Sequence, residues 1–176
     1  MNPKILVTYA SQGGATAGVA EAIGQTLVEC GAQVDVRPTA EVNNLQSYAA
    51  VIVGSAIHGG KWMPEAEAFI SQYQADLRQM PTAIFQVCMM LATENESYRR
   101  LVPEWLAPIR ARIGPVGEAS FAGALFPDRY RKLSEKLGLR VFLAVIRRKA
   151  GDYRDWGKIR AWAEQIYPAL CRQETP

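Results

Sequence analysis

The sequence predicts an α/β fold in which helices cover both faces of one open, doubly wound parallel sheet. Residues 4–9, 49–54 and 82–87 are nearly continuous apolar runs, as expected of strands that are buried on both faces. Segments with the helical spacing of apolar residues alternate with these runs. We therefore expect five strands in the order 2-1-3-4-5, which is common among short α/β chains.

The first strand, 4–9, leads into a helix at 16–30, in which Val19, Ile23 and Leu27 share one stripe and a glycine follows as a stop. The further predicted elements are an edge strand at 33–37 with alternating polarity, helices at 64–78, 97–113 and 155–170, and a weak fifth strand at 119–125. Pro64 suits the first turn of its helix, whereas Pro103 and Pro108 predict an irregular middle in the next one.

The composition indicates one globular domain over residues 1–176. Hydrophobic residues make up 49% of the chain and charged ones 21%, which argues against disorder. The apolar start is too short for a signal segment, and no stretch approaches the ~20 apolar residues of a spanning helix. Three scattered cysteines predict neither a disulfide framework nor a metal site. We expect a cytoplasmic protein without a metal or a nucleic-acid partner.

The loop "YASQGGAT", after the first strand, is the first candidate ligand site. In doubly wound sheets, ligands bind at the carboxyl ends of the strands, and a helix N-terminus attracts phosphate. Gly13 and Gly14 allow close backbone approach, while Ser11 and Thr16 bring hydroxyl groups. The spacing matches neither a dinucleotide nor a triphosphate motif, so one phosphomonoester held by neutral donors fits best. The alternative is a simple turn with a threonine cap.

This loop resembles the phosphate loop "T/S-x-T-G-x-T" of the flavodoxin family at Ser11, Gly14 and Thr16. It differs at Gly13, where flavodoxins have a second threonine, so one hydroxyl donor is missing. The resemblance extends along nearly the whole chain and implies FMN as the cofactor. The cofactor-binding residues that it implies in this loop are Ser11, Gln12, Gly13, Gly14, Ala15 and Thr16.

The loop "GSAIHGGKW", after the third strand, is expected to flank the flavin ring. Gly54, Gly59 and Gly60 would let the backbone approach the ring, and Trp62 is the nearest indole that could lie over it. His58 is the one histidine of the chain, and a partly cationic imidazole there would stabilise a reduced, anionic flavin. A structural or solvated histidine is the alternative, so no residue is assigned a certain catalytic role. The candidates in this loop are Ser55, Ala56, Ile57, His58, Gly59, Gly60 and Trp62.

The loop after the fourth strand offers Cys88, Met89, Met90 and Leu91 instead of a stacking tyrosine. Either these residues fill the core, as methionines readily do, or they leave one face of the ring open for a bulky apolar substrate. Cys88 has no basic neighbour in the sequence and is expected to be a small buried hydrophobe.

Positive charge is concentrated in the second half of the chain. Residues 1–75 carry three Lys or Arg against six Asp or Glu, whereas residues 76–176 carry seventeen against eleven. Eight basic residues and one acid lie within 129–149, where they bracket the apolar run 141–146. This segment predicts a helix that either lies in the core or contacts an anionic membrane surface, and it is also a candidate substrate-facing element.

"FAGALFPDRYRK", the basic apolar helix and "YRDWGKIRAWAEQI" together resemble the flavodoxin-type protoporphyrinogen dehydrogenases, as does "GSAIHGGKW". The resemblance implies oxidation of protoporphyrinogen IX in tetrapyrrole biosynthesis, with a membrane quinone as acceptor and peripheral membrane contact. The segment 147–155 is short compared with the insertions that family members can carry. Arginines that could pair with the carboxylates of such a substrate are Arg99, Arg100, Arg129 and Arg131.

Three other functions remain open at this point. The protein could be an FMN electron carrier without its own substrate, although such carriers are usually strongly acidic. It could also be an NAD(P)H:quinone reductase of flavodoxin-like build, or a partner-binding protein without a flavin. The oligomeric state does not follow from the sequence.

Overall fold

A computed structural model describes residues 2–126, 133–147 and 149–172. Its strands are β1 (Lys4–Ala10), β2 (Gln33–Pro38), β3 (Ala50–His58), β4 (Lys61–Trp62), β5 (Thr82–Cys88), β6 (Gly117–Ala122), β7 (Ala124–Leu125) and β8 (Gly151–Asp152). Five of them form the main sheet in the order β2-β1-β3-β5-β6 with parallel pairing between neighbours, and β4 pairs antiparallel with the end of β3. This order confirms the predicted 2-1-3-4-5 arrangement.

Helices lie on both faces of the main sheet. They are α1 (Ala15–Glu29), α2 (Pro64–Gln72), α3 (Gln74–Gln79), α4 (Glu96–Glu104), α5 (Ala107–Ile113), α6 (Leu133–Val145) and α7 (Trp156–Leu170). Alternate residues of β1 point to opposite faces, so Ile5 and Val7 join a core with α1 and α7 while Leu6 joins a core with α2, α3 and α5. The prediction that helices cover both faces of a parallel sheet is therefore confirmed.

Two predicted helices are each divided in two. The segment 64–78 breaks at Tyr73, which separates α2 from α3. The segment 97–113 breaks at Trp105 and Leu106, between α4 and α5. Pro108 lies in the first turn of α5, where its missing N–H has no acceptor to lose.

The predicted fifth strand, 119–125, also divides. Its first part belongs to β6, but the chain leaves the main sheet at Gly123 and continues as β7, which pairs antiparallel with β8. The Tyr153 N–H donates to the Gly123 carbonyl at 3.1 Å and closes this small second sheet. Helix α6 lies in the excursion between β7 and β8.

The predicted helix at 129–149 overlaps α6, which begins at Leu133. Residues 129–132 and 148 lie outside the described part of the chain. Leu143 is the one residue of α6 that is buried, so this helix packs against the domain along a narrow line. No described helix is both long enough and apolar enough to span a bilayer.

Candidate functional site

A cavity of about 470 Å³ lies at the carboxyl ends of β1, β3 and β5. This is the edge of the sheet at which doubly wound folds bind ligands, and the volume falls within the range of small-molecule sites. The cavity is lined by Ser11, Gln12, Gly13, Ala15, Thr16, Ala56, Ile57, His58, Gly59, Gly60, Val87, Cys88, Met89, Met90, Trp105, Gly123, Ala124, Leu125, Leu139 and Phe142. The three loops singled out in the sequence thus meet at one site.

The N-terminus of α1 opens into this cavity. Gly14 is the N-cap and has φ +82°, a conformation that glycine adopts without strain. The Ser11 hydroxyl oxygen accepts a hydrogen bond from the Gly14 N–H at 3.1 Å and tightens the loop. The first helical bond runs from the Gly18 N–H to the Gly14 carbonyl, so the three N–H groups between them have no acceptor within the helix. A phosphate would provide those acceptors.

The Thr16 hydroxyl is buried without a partner. Thr16 is 1% exposed, and its Oγ1 is one of two buried side-chain oxygens that make no hydrogen bond in the described part of the chain. Buried polar atoms are nearly always paired, so an orphan beside an open helix N-terminus indicates a ligand atom. None of the described residues that line the cavity is a Lys, Arg, Asp or Glu. The donors that the first loop offers an anion are therefore backbone N–H groups and hydroxyls.

The second loop turns tightly at the end of β3. Gly59 and Gly60 have φ of +58° and +77°, and they reverse the chain so that Lys61 in β4 pairs with His58. The exposed His58 lines the cavity together with Ala56 and Ile57. The imidazole therefore lies at the cavity wall within reach of solvent.

Three other residues proposed in the second loop have structural roles away from the cavity. The Ser55 hydroxyl accepts from the Met63 N–H at 2.9 Å and donates to the Ala56 carbonyl at 2.8 Å. Trp62 is 4% exposed and its Nε1 donates to Gln86 Oε1 at 3.3 Å in the core. A Cβ at Gly54 would overlap the Phe85 ring, so this glycine serves packing rather than the approach of a ligand.

The third loop presents Cys88, Met89 and Met90 to the cavity, whereas Leu91 is not among the lining residues. A 3₁₀ turn begins at Met89, and the Met90 N–H donates to the Cys88 sulfur at 3.4 Å. Burial raises the pKa of the Cys88 thiol, which disfavours the reactive thiolate form. This loop supplies a flexible apolar wall.

Sequence reasoning missed two further walls. The Trp105 indole lies over the second loop, 3.4–3.5 Å from the point where a Cβ of Gly60 would stand. Leu139 and Phe142, from α6, line the cavity as well. One feature of the sequence could have indicated that Trp105 lies at the cavity. Pro103 and Pro108 interrupt the predicted helix at 97–113, and a side chain at such a break can leave the helical surface. Val87 and residues 123–125 complete the missed set.

The arginines proposed to pair with substrate carboxylates do not line the cavity where they are described. Arg99 pairs with Glu96 at 3.0 Å, and Arg100 is exposed on α4. Arg129 and Arg131 lie outside the described residues.

Arg154 follows β8 and connects the second sheet to the first loop. Its guanidinium donates to both oxygens of Asp152 at 2.8 and 2.6 Å and stacks 4.3 Å above the ring centroid of Trp156. One Nη1 N–H also reaches the Ala15 carbonyl at 3.4 Å. The phosphate-loop end of α1 and the second sheet are therefore held together.

The open sheet β2-β1-β3-β5-β6 and the neutral anion cradle at its edge define an α/β protein that binds a phosphorylated cofactor at the switch in strand order. The profile of the flavodoxin domain matches residues 6–150, and the chain belongs to this family of FMN-binding oxidoreductases. The residues present fit FMN, since the orphan hydroxyl of Thr16 and the free N–H groups of α1 suit its phosphate.

Known relatives agree with this family. A Leishmania major protein named protoporphyrinogen IX dehydrogenase (quinone) is 25% identical to this chain. The match covers 94% of this chain and 75% of that protein. A flavodoxin from the domain Archaea matches with a TM-score of 0.56 and 18% identity, covering 96% of this chain and 99% of that one. A short-chain flavodoxin associated with a non-canonical PDU bacterial microcompartment matches with a TM-score of 0.60 and 12% identity, covering 97% and 99%. The two structural likenesses show the fold.

Proposed function

We propose that the protein is an FMN-dependent enzyme that oxidises protoporphyrinogen IX, or a closely similar porphyrinogen, and passes the electrons to a quinone. The reaction would belong to tetrapyrrole biosynthesis and take place at the inner face of the cell membrane. The observation that carries the proposal is that one cavity combines a neutral anion cradle in the first loop with large apolar side chains from other elements.

At the cradle, the chain's own groups would bind the phosphate of FMN. The N–H groups of the first turn of α1 point along the helix axis and add the positive end of the helix dipole. The Thr16 hydroxyl would donate the one hydrogen bond that it cannot make within the protein. Bound FMN supplies the redox chemistry of the site, hydride acceptance from the substrate and electron transfer to the acceptor.

The apolar side chains that line the same cavity would bind the substrate and exclude water. Met89, Met90, Trp105, Leu139 and Phe142 combine flexible thioethers with flat rings, as suits an apolar macrocycle or a quinone ring. The exposed His58, at the wall, can donate a hydrogen bond to a developing negative charge. No protein nucleophile is required because the cofactor carries the electron pair.

The relative from Leishmania major supports the choice of substrate and acceptor, since its similarity spans nearly the whole of this chain. The excess of basic residues over acidic ones also favours an enzyme over an electron carrier, whose acidic surface steers it to basic partners.

Anaerobic assay of the FMN-loaded protein tests the proposal. We expect porphyrin fluorescence to increase continuously when protoporphyrinogen and a soluble quinone are mixed with a catalytic amount of the protein. When the protein is omitted, product should form only at the spontaneous rate, and when the quinone is omitted, oxidation should stop once the bound flavin is reduced. Full FMN loading without porphyrin formation, combined with reduction by a flavodoxin reductase, would identify an electron carrier instead. Quinone reduction driven by NAD(P)H alone would identify a quinone reductase.

A further inference from the structure

Helix α6 has apolar residues on two opposite faces. Its inner face carries Leu139 and Phe142, which line the cavity, and the buried Leu143. Its outer face carries Leu133, Leu137, Val141 and Val145, which are 80%, 64%, 56% and 75% exposed. Residues four apart are neighbours on a helical surface, so these four side chains form one continuous strip. We call them the outer strip of α6.

The outer strip differs from the other exposed apolar residues of the described chain. Those others, Val28 on α1, Leu101 on α4 and Val116 in the loop before β6, are each about half exposed and lie apart, as single surface hydrophobes commonly do. Four large apolar side chains on one helix face indicate a surface that is covered by something else.

The charges beside the outer strip are mainly positive. Lys136, Arg140, Arg147 and Lys149 lie on α6 or within four residues of its end, and Glu135 is the one acid in the described residues 133–149. A second copy of the chain would bring two such basic clusters together, and their repulsion opposes self-association. An anionic surface would instead be attracted to them.

We propose that the outer strip of α6 docks onto an anionic lipid bilayer. A bilayer accepts an apolar strip of this kind without a complementary groove, and basic residues at its border add attraction to anionic headgroups. The helix has 13 residues and lies in the interface plane rather than across the membrane.

The two faces of α6 then connect the membrane to the cavity. Because the inner face lines the cavity, docking of the outer strip holds the cavity one helix diameter, about 10 Å, from the lipid. This consequence rests on the proposed function, in which a quinone accepts the electrons at the inner face of the cell membrane. The docking itself rests on the exposed strip and the charges alone.

Flotation of the full-length protein with vesicles tests the docking. We expect binding to vesicles that contain phosphatidylglycerol and a loss of at least about tenfold in the partition coefficient for the double variant L137Q/V141Q. The variant V28Q changes an exposed apolar residue on α1 and is expected to bind as the wild type does. Circular dichroism of each variant verifies that it folds.

The charge contribution is tested in the same assay. We expect R147Q/K149Q to lose about tenfold or more in binding to anionic vesicles, with no change on neutral phosphatidylcholine vesicles. The matched variant R78Q, an exposed cation on α3, is expected to leave binding unchanged.

Two results would overturn the proposal. One is vesicle binding that is equal for the wild type and L137Q/V141Q. The other is a wild-type dimer in sedimentation velocity that L137Q/V141Q converts to a monomer, since a second copy would then cover the strip. Turnover with a soluble quinone separates this proposal from the proposed function. If the protein turns over and L137Q/V141Q does not change vesicle binding, only the docking is refuted. If vesicle binding depends on α6 but the protein does not turn over, only the proposed function is refuted.

Discussion

Replacement of Thr16 by valine removes a hydroxyl group and keeps the shape of the side chain. Oγ1 of Thr16 is buried and makes no hydrogen bond to the described protein. In the FMN complex that we propose, the same atom donates to a phosphate oxygen. The substitution is therefore expected to act in opposite directions on cofactor affinity and on the stability of the apoprotein.

The magnitudes follow from the state of that hydroxyl. A hydrogen bond to a charged group contributes about 1.5–3 kcal/mol, so the Kd for FMN should rise roughly 10- to 150-fold in Thr16→Val. A buried polar group without a partner destabilises a protein by about 1–3 kcal/mol, so the free energy of unfolding of the apoprotein should rise by about 1 kcal/mol or more.

Two measurements check these values. Quenching of flavin fluorescence gives the Kd for FMN and for riboflavin, which lacks the phosphate, and urea denaturation gives the stability of the apoprotein. Thr26→Val is the matched control, because Thr26 is also buried in α1 but its hydroxyl donates to the Ala22 carbonyl at 2.9 Å. This control should lose about 1 kcal/mol of stability and bind FMN normally.

The riboflavin measurement decides what the Thr16 hydroxyl contacts. We expect Thr16→Val to leave riboflavin affinity unchanged, since the lost contact is to phosphate. An equal loss of affinity for riboflavin and FMN would refute the reasoning, and so would an apoprotein that is less stable than the wild type.

Three further substitutions test the packing, the backbone and the electrostatics of the fold. Gly54→Ala should destabilise by about 1–3 kcal/mol in urea denaturation, because its Cβ would overlap the Phe85 ring; a neutral result would contradict the packing of β3. Gly59→Ala should lose about 1 kcal/mol, since the position has open space but φ +58°; a larger loss would indicate an unseen contact. The hydrogen bond from Tyr48 is the main cause that lowers the pKa of Asp35 in the folded state. The stability that this pair contributes is therefore present above the unfolded-state pKa of about 4 and is lost as the pH falls below that value. Asp35→Asn should reduce the loss of stability at acid pH in a plot of unfolding free energy against pH. An unchanged loss would contradict this role of Asp35.

The layered architecture could be predicted because its signals are local and strong. Strands β1, β3 and β5 are buried on both faces, so their apolar runs are continuous in the sequence. The loops of the site could be located for the same reason, since the fold places the ends of parallel strands at one edge.

Side-chain direction could not be predicted in the same way. Trp62 follows the second loop in the sequence, but β4 pairs antiparallel with β3 in a register that puts Trp62 opposite Ile57 and turns its indole into the core. The indole at the cavity, Trp105, is more than forty residues further along the chain. Sequence proximity to a loop says nothing about which face of a sheet a residue occupies.

The second sheet and the two faces of α6 were also beyond sequence reasoning. β7 and β8 have two residues each, too few to show a period. Helix α6 carries apolar residues on two opposite faces, a pattern that fits a core helix as well as a membrane-facing one. Only the packing, with Leu143 as its one buried residue, distinguishes the inner face from the outer strip.

The central claim is that the cavity holds FMN where a porphyrinogen can reduce it. Anaerobic mixing of the FMN-loaded protein with one equivalent of protoporphyrinogen, without any quinone, tests it most directly. We predict loss of the visible flavin absorbance together with gain of porphyrinogen oxidation products in proportion. Flavin absorbance that stays unchanged with porphyrinogen, yet disappears with dithionite, would contradict the account.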